Sequence, residues 1–197
     1  MNNIVQAPPG KQSEKWQASG IVVAVCRSET HSFSKQMQQS VRMIAGQGVE
    51  NDAHCGATVQ HLSRKAKDPR RPNMRQIHLI HAELLDALQA DNFTVFPGDL
   101  GENIITRGIA LLELPTGTRI FFEGGAVIEI TGLRNPCNQI ETFMPGLLDK
   151  VLDNDDSGRM ERKCGVMGII RVGGIVCPGD TLSVEMPPEP HIRLHRV

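Results

Sequence analysis

The sequence predicts a mainly β domain, a curved sheet or barrel with a few short peripheral helices, rather than a doubly wound α/β fold. Three observations predict it. Short Val- and Ile-rich runs recur along the chain, Gly- or Pro-containing turns separate them, and only two segments carry a helical pattern.

In chain order, residues 1–18 read as a flexible arm, with Pro8-Pro9-Gly10 among mixed polar residues. Residues 19–186 form the domain. Ser19–Cys26 is its first strand, and Cys26 belongs to the core or its rim. Arg27–Gln39, polar and Ser-rich, is a loop with His31 on its surface. Val41–Val49 re-enters the sheet and ends in the turn Gly46-Gln47-Gly48. Asn51–Gly56 is too polar for a core element and reads as a loop that presents Asp52 and His54. Arg75–His81 alternates, with Arg75, Ile77, Leu79 and His81 on one face and Gln76, His78 and Ile80 on the other. Ala82–Ala90 is a helix whose Leu84, Leu85 and Leu88 face the core.

Phe96–Asn103 is a turn-rich loop. A β meander follows over Asn103–Thr106, Leu111–Leu114, Thr118–Phe122 and Ala126–Thr131, with a tight hairpin at Gly124-Gly125. Asn138–Leu152 is the second helix, with Ile140, Phe143, Leu147, Leu148 and Val151 as its apolar stripe. Met144-Pro145-Gly146 kinks or splits it. Asp153–Gly158 is acidic and exposed. Lys163–Val172 is a strand whose glycines suit close backbone approach. Gly173-Gly174 turns it into Ile175–Cys177, and Pro178-Gly179-Asp180 feeds Thr181–Met186. The tail, residues 187–197, reads as peripheral.

Composition excludes several function classes. A net charge of −1 provides no broad nucleic-acid footprint, and the absence of tyrosine argues against a base-stacking platform. No stretch is long and apolar enough for a membrane, and Met1–Gln17 lacks the apolar run of a signal peptide. Cys26, Cys55, Cys137, Cys164 and Cys177 are odd in number and form no CxxC pair. Reduced thiols and a cytoplasmic location are therefore expected. The basic run Arg64, Lys65, Lys67, Arg70, Arg71 and Arg75 is either a solvated loop or a lip that attracts an anionic ligand.

The stretch with the most chemistry is Ile128–Glu141. A strand ends at Gly132 and hands over to Arg134-Asn135-Pro136-Cys137, after which the helical pattern begins. A cysteine at such a turn lies near unpaired backbone N–H groups, a helix dipole and the charge of Arg134, all of which favour a thiolate. The plain alternative is a small buried hydrophobe.

Arg-x-Pro-Cys after a strand resembles the signature of the MOSC domain, the molybdenum cofactor sulfurase C-terminal domain. Other segments agree in order. They are Gly48–Gly56 with His61, Arg75–Leu79, Pro97–Ile104, Gly165–Gly168 and Pro178–Asp180. The resemblance runs from about Ser19 to Glu185, and the chain looks like a stand-alone member without a cysteine-desulfurase domain. Asn51 stands where relatives carry glycine, and asparagine tolerates the positive φ such a turn needs.

The resemblance implies a β-barrel with Cys137 as reactive centre, in one of two roles. Cys137 could carry sulfane sulfur as a persulfide, received from a cysteine desulfurase, for a metal–sulfur centre. It could instead ligate the molybdenum of a bound molybdopterin cofactor, as in relatives that reduce N-hydroxylated compounds. The second role needs an electron-transfer partner, because no flavin or nicotinamide fingerprint is visible. The small-molecule ligand or cofactor would be bound by Arg134, Asn135, Gln139, His54, Gly56, His61, Arg75, Gln76, Glu102, Asn103 and Lys163. Of these, Arg75, Arg134 and Lys163 are the phosphate candidates, and Glu102 and Asn103 line the site or fix its loop. Asn138 is expected to cap the helix. Pyridoxal phosphate enters only by family association, and no lysine has a clear Schiff-base context. Cys164, behind Arg162 and Lys163, is the rival thiol. A zinc site of His54, His61, Cys55 and Cys137 is a further alternative, as is a non-catalytic binding module.

Overall fold

The computed structural model describes residues 18–154, 158 and 160–197. All but the last residue of the expected N-terminal arm lies outside that range. In chain order the strands and helices begin with β1 (Ala18–Arg27), β2 (Gln36–Gln38), β3 (Val41–Ile44), β4 (Gly48–Val49) and α1 (Leu62–Lys65). Next come β5 (Ile77–His81), α2 (Ala82–Ala90), β6 (Ile104–Arg107), β7 (Arg119–Phe122), β8 (Val127–Leu133), α3 (Gln139–Phe143) and α4 (Leu147–Val151). The chain finishes with β9 (Leu152–Asn154), β10 (Met160–Arg162), β11 (Val166–Val172), β12 (Gly174–Val176) and β13 (Thr181–Glu185).

Seven strands close into a barrel in the order β13-β7-β8-β11-β5-β6-β1, with β13 returning to pair with β1 and β2 added at the edge. The alternation seen in sequence sorts the side chains. Ile77, Leu79, Ile104, Ile128, Ile130, Val166 and Val184 fill the interior. Ile80, Ala24 and Ile105 point outward, where α2, α3 and α4 cover them with Leu84, Leu88, Ile140, Leu147 and Val151. β1 reaches both cores because of a bulge, where the register shifts between Val22 and Ala24.

Several expected elements differ. The meander reduces to the β7–β8 hairpin, turned at Gly125 with φ +81. α2 acts as a crossover that returns β6 parallel to β5, so β6 sits far from β7 in the sheet. Leu111–Glu113 is a 3-10 turn rather than a strand, and Ile109, Leu111 and Leu114 plug the barrel core. β3 and β4 form a separate sheet with β12, and β2 lies inside the expected loop. Met144-Pro145-Gly146 does split the second helix, and Gly146 takes φ +83.

The tail is no appendage. Leu194 is buried in the barrel core, and Leu133 N and Val197 N exchange hydrogen bonds with His195 O and Leu133 O. Its signal is a single leucine among prolines and basic residues, too sparse to read as an element.

Gly165, where β11 begins, shows the close approach its sequence context suggests. It sits at φ +78, and a Cβ there would meet Leu79 O at 1.9 Å. Gly165→Ala is expected to lower stability by at least about 2 kcal/mol in urea denaturation, through strain plus collision with backbone. A loss below about 0.5 kcal/mol would show that β11 enters the sheet differently.

Candidate functional site

A cavity of about 300 Å³ lies on the outer wall of the barrel, over the facing positions of β5 and β11. His78 and Met167 are register partners there, and both line it. Three loops complete its walls. One follows β1, another holds His54 and leads into α1, and the third joins β8 to α3 and carries Cys137.

The β8–α3 loop is set by local geometry. A bulge leaves Thr131 unmatched between β8 and β11, and its hydroxyl shares its one hydrogen between Met74 O (2.7 Å) and Met167 O (3.0 Å). Arg134 N donates to Gly165 O (3.0 Å), and Arg162 Nε holds Asn135 Oδ1 at 3.0 Å. Cys137 is half-buried, and its Sγ donates to Gln139 Oε1 at 3.5 Å. The helix that follows has only five residues, so little dipole stands behind Cys137. Asn138 occupies the cap position with helical dihedrals, and its side chain makes no cap bond, contrary to expectation.

The cavity wall is cationic. Arg64, Arg75 and Arg134 line it, and no carboxylate does among the described residues. Among the described residues, Arg75 Nε and Arg134 Nη1 are buried without a hydrogen-bond partner. Burial, with Arg64 and Arg134 nearby, pushes the Arg75 guanidinium down to about 10. An arginine so placed has its charge resisted by its surroundings, and an anionic ligand would relieve both problems.

Beneath the wall lies a buried polar network. Lys35 Nζ bonds Asp52 Oδ2 at 2.7 Å, with both side chains nearly inaccessible. Asn103 Nδ2 donates to Asp52 Oδ2 (3.0 Å) and Cys26 O (3.1 Å), and its Oδ1 accepts from His78 N. Asn103 therefore both lines the cavity and fixes the loop. Asn51, just before Asp52, adopts φ 58.

Of the residues expected from sequence, His54, His61, Arg75, Asn103, Arg134, Asn135, Cys137 and Gln139 meet on this wall. Four others do not. Gln76 is a cross-brace, donating to Gly46 O and accepting from Ile170 N. Glu102 is wholly buried, and its Oε1 accepts from Gly98 N, so it fixes the loop. Lys163 pairs with Glu161 at 3.4 Å. Gly56 shapes the loop, its carbonyl accepting from Asn73 Nδ2. Arg75 also departs from its expected face. Regular strand begins only at Ile77, so Arg75 reaches the cavity alongside His78 while Ile77 and Leu79 face the barrel.

Cys164 is no rival thiol. It is fully buried, and burial pushes it up to about 11 despite the charge of Arg134. The zinc reading loses its geometry, since Cys55 is off the wall and no three His, Cys, Asp or Glu groups converge among the described residues. Lys35, His78 and Asn73 also line the site and were missed. Nothing marks a lysine in a Ser-rich loop as buried. Arg64 carried a signal, as the first residue of the basic run.

A family model, the MOSC domain, matches residues 50–183. No curated protein matches the chain. Among solved structures, the YuaD protein from Bacillus subtilis is 24% identical, with a TM-score of 0.70 over 88% of this chain and 100% of that one. YiiM from Escherichia coli is 15% identical, with a TM-score of 0.54 over 87% of this chain and 73% of its own. YiiM from Geobacillus stearothermophilus, also 15% identical, has a TM-score of 0.54 over 88% and 77% of the two chains. These likenesses concern the fold.

Proposed function

The chain belongs to the MOSC domain family, and from that premise we propose that its cavity binds the molybdenum cofactor and that the protein reduces N-hydroxylated compounds. One observation carries the reading. Among the described residues, two buried guanidinium nitrogens without partners border a carboxylate-free cavity whose wall holds a single thiol, Cys137.

The residues suit that group. Cys137 offers the soft sulfur donor that molybdenum accepts. Arg75, Arg134 and Arg64 offer charge-assisted donors for the anionic phosphate and pterin-bound oxygens. Gln139 and the Arg162–Asn135 bond hold the cysteine loop in one geometry. When bound, the cofactor supplies the two-electron chemistry that breaks an N–O bond, with electrons delivered by a separate donor protein. Pyridoxal phosphate fits less well. The lysine on the wall, Lys35, is committed to Asp52 and offers no free amine. A persulfide carrier needs an accessible thiol, but has no use for unpaired buried cations around a cavity of this size.

Elemental analysis of anaerobically purified protein tests the proposal, using cells that make the cofactor. Wild type should carry molybdenum near one per chain, and Cys137→Ala should carry under a tenth of that. Molybdenum-free wild type with sulfane sulfur on Cys137 would instead establish the carrier role. No helix among the described residues is long and apolar enough to cross a membrane.

A further inference from the structure

His54 is the one histidine on the cavity wall with a carboxylate behind it. Asp52 Oδ1 accepts from the His54 backbone N at 2.9 Å and lies 3.3 Å from His54 Nδ1. Its Oδ2 accepts from Lys35 Nζ, Asn103 Nδ2 and Ser28 N. Burial pushes the Asp52 carboxyl up, but the bond from His54 and the charge of Lys35 outweigh it and hold the group well below the usual carboxylate range. Asp52 is therefore ionised at neutral pH.

An ionised carboxylate only accepts hydrogen bonds, so His54 Nδ1 must carry hydrogen. The contact selects that tautomer and leaves Nε2 as the ring nitrogen farther from Asp52. A buried carboxylate that orients an imidazole whose far nitrogen is free is the arrangement of an acid–base catalyst.

The other histidines are differently employed. His78 Nε2 is spent on Cys164 O at 2.7 Å, and burial together with Arg134 holds the ring well below its ordinary value. His61 Nδ1 shares a hydrogen bond with Ser63 Oγ, and burial and Arg75 push it down. His31 stands edge-on to His54, with centroids 5.1 Å apart, and burial and His54 push it down against the charge of Asp52. The titratable groups against His54 are Asp52, His31 and His61, and the cations Lys35, Arg64, Arg75 and Arg134 share its cavity wall.

We propose that His54 is the proton donor of this cavity, with Asp52 as the residue that positions it. The assignment rests on the reductase reading above. In each turnover the donor protein supplies two electrons, the N–O bond breaks, and the hydroxylamine becomes an amine while its oxygen leaves as water. Two protons are consumed. His54 Nε2 gives one to the departing oxygen and recovers it from water at the cavity mouth, and solvent gives the other. His54 is about a third exposed, which keeps that return path open.

Two readouts test this on the molybdenum-loaded protein, with hydroxylamine as substrate and reduced viologen as electron source. His54→Ala should keep wild-type molybdenum content, lose about 100-fold or more in kcat, and regain part of it with added imidazole. Long-range proton–nitrogen NMR should show the neutral His54 ring protonated at Nδ1 in wild type, with that preference lost in Asp52→Asn. Activity within about 3-fold of wild type, a loss that imidazole does not restore, or an Nε2–H ring would each overturn the assignment. Loss of molybdenum in His54→Ala would overturn it too, placing His54 among the cofactor-holding residues. Molybdenum-free wild type would sink the reductase reading and with it the proton-donor role. The tautomer measurement would still decide whether Asp52 orients His54.

Discussion

Asp52→Ala is expected to cost about 3–5 kcal/mol of folding stability, the range found when one partner of a buried ion pair is removed. Asp52 and Lys35 are 2% and 4% exposed at their side chains, so water cannot replace the missing partner. Five donors, on Lys35, Asn103, Ser28 and His54 (its backbone N and Nδ1), would also lose an acceptor. Urea denaturation at neutral pH measures the loss. Lys35→Met with Asp52→Leu should recover part of it, because an apolar pair carries no desolvation penalty, although the other donors stay unsatisfied. A single variant within about 1 kcal/mol of wild type would show that the pair is solvated. The pH dependence has a definite sign. The Asp52 carboxyl is held low in the folded state, so its contribution is complete above about pH 4 and fades as pH falls through the folded value. Wild type should therefore lose more stability on acidification than the double variant.

Arg75→Met should push binding and stability in opposite directions. The guanidinium is pressed by burial and by Arg64 and Arg134, and its Nε finds no partner. Replacing it with an apolar chain of similar reach removes a strained charge, so thermal stability of the ligand-free protein should rise. Affinity for an anionic ligand should fall by about 10–100-fold, the worth of one charge-assisted hydrogen bond. Titration with inorganic phosphate and a thermal melt of the same sample read both effects. A variant that melts lower and binds equally well would show that Arg75 serves the fold.

The regular parts of the barrel were legible because alternation is local. Ile128 and Ile130 declare the inner face of β8, and Leu84, Leu85 and Leu88 declare the buried side of α2. The cysteine loop was legible because Arg134-Asn135-Pro136-Cys137 stands between a strand pattern and a helix pattern. Partner choice was not. Gln76 looks the same in sequence whether it lines a ligand or braces Gly46 and Ile170. Lys35 and Asp52 meet only after two loops fold against each other. β6 was placed in the wrong neighbourhood because periodicity says which residues form a strand, and crossover geometry decides beside which strand it lies.

The seam that closes the barrel joins Ala18–Ile21 to Thr181–Val184, from opposite ends of the described chain. β13 follows β1 and β7 in the chain, so the seam can form only after every other barrel strand has been made. Until then β1 and β7 each present an open edge, the condition under which strands recruit the wrong neighbour. The barrel therefore stays an unfinished sheet until β13 docks, in whatever order its other strands pair.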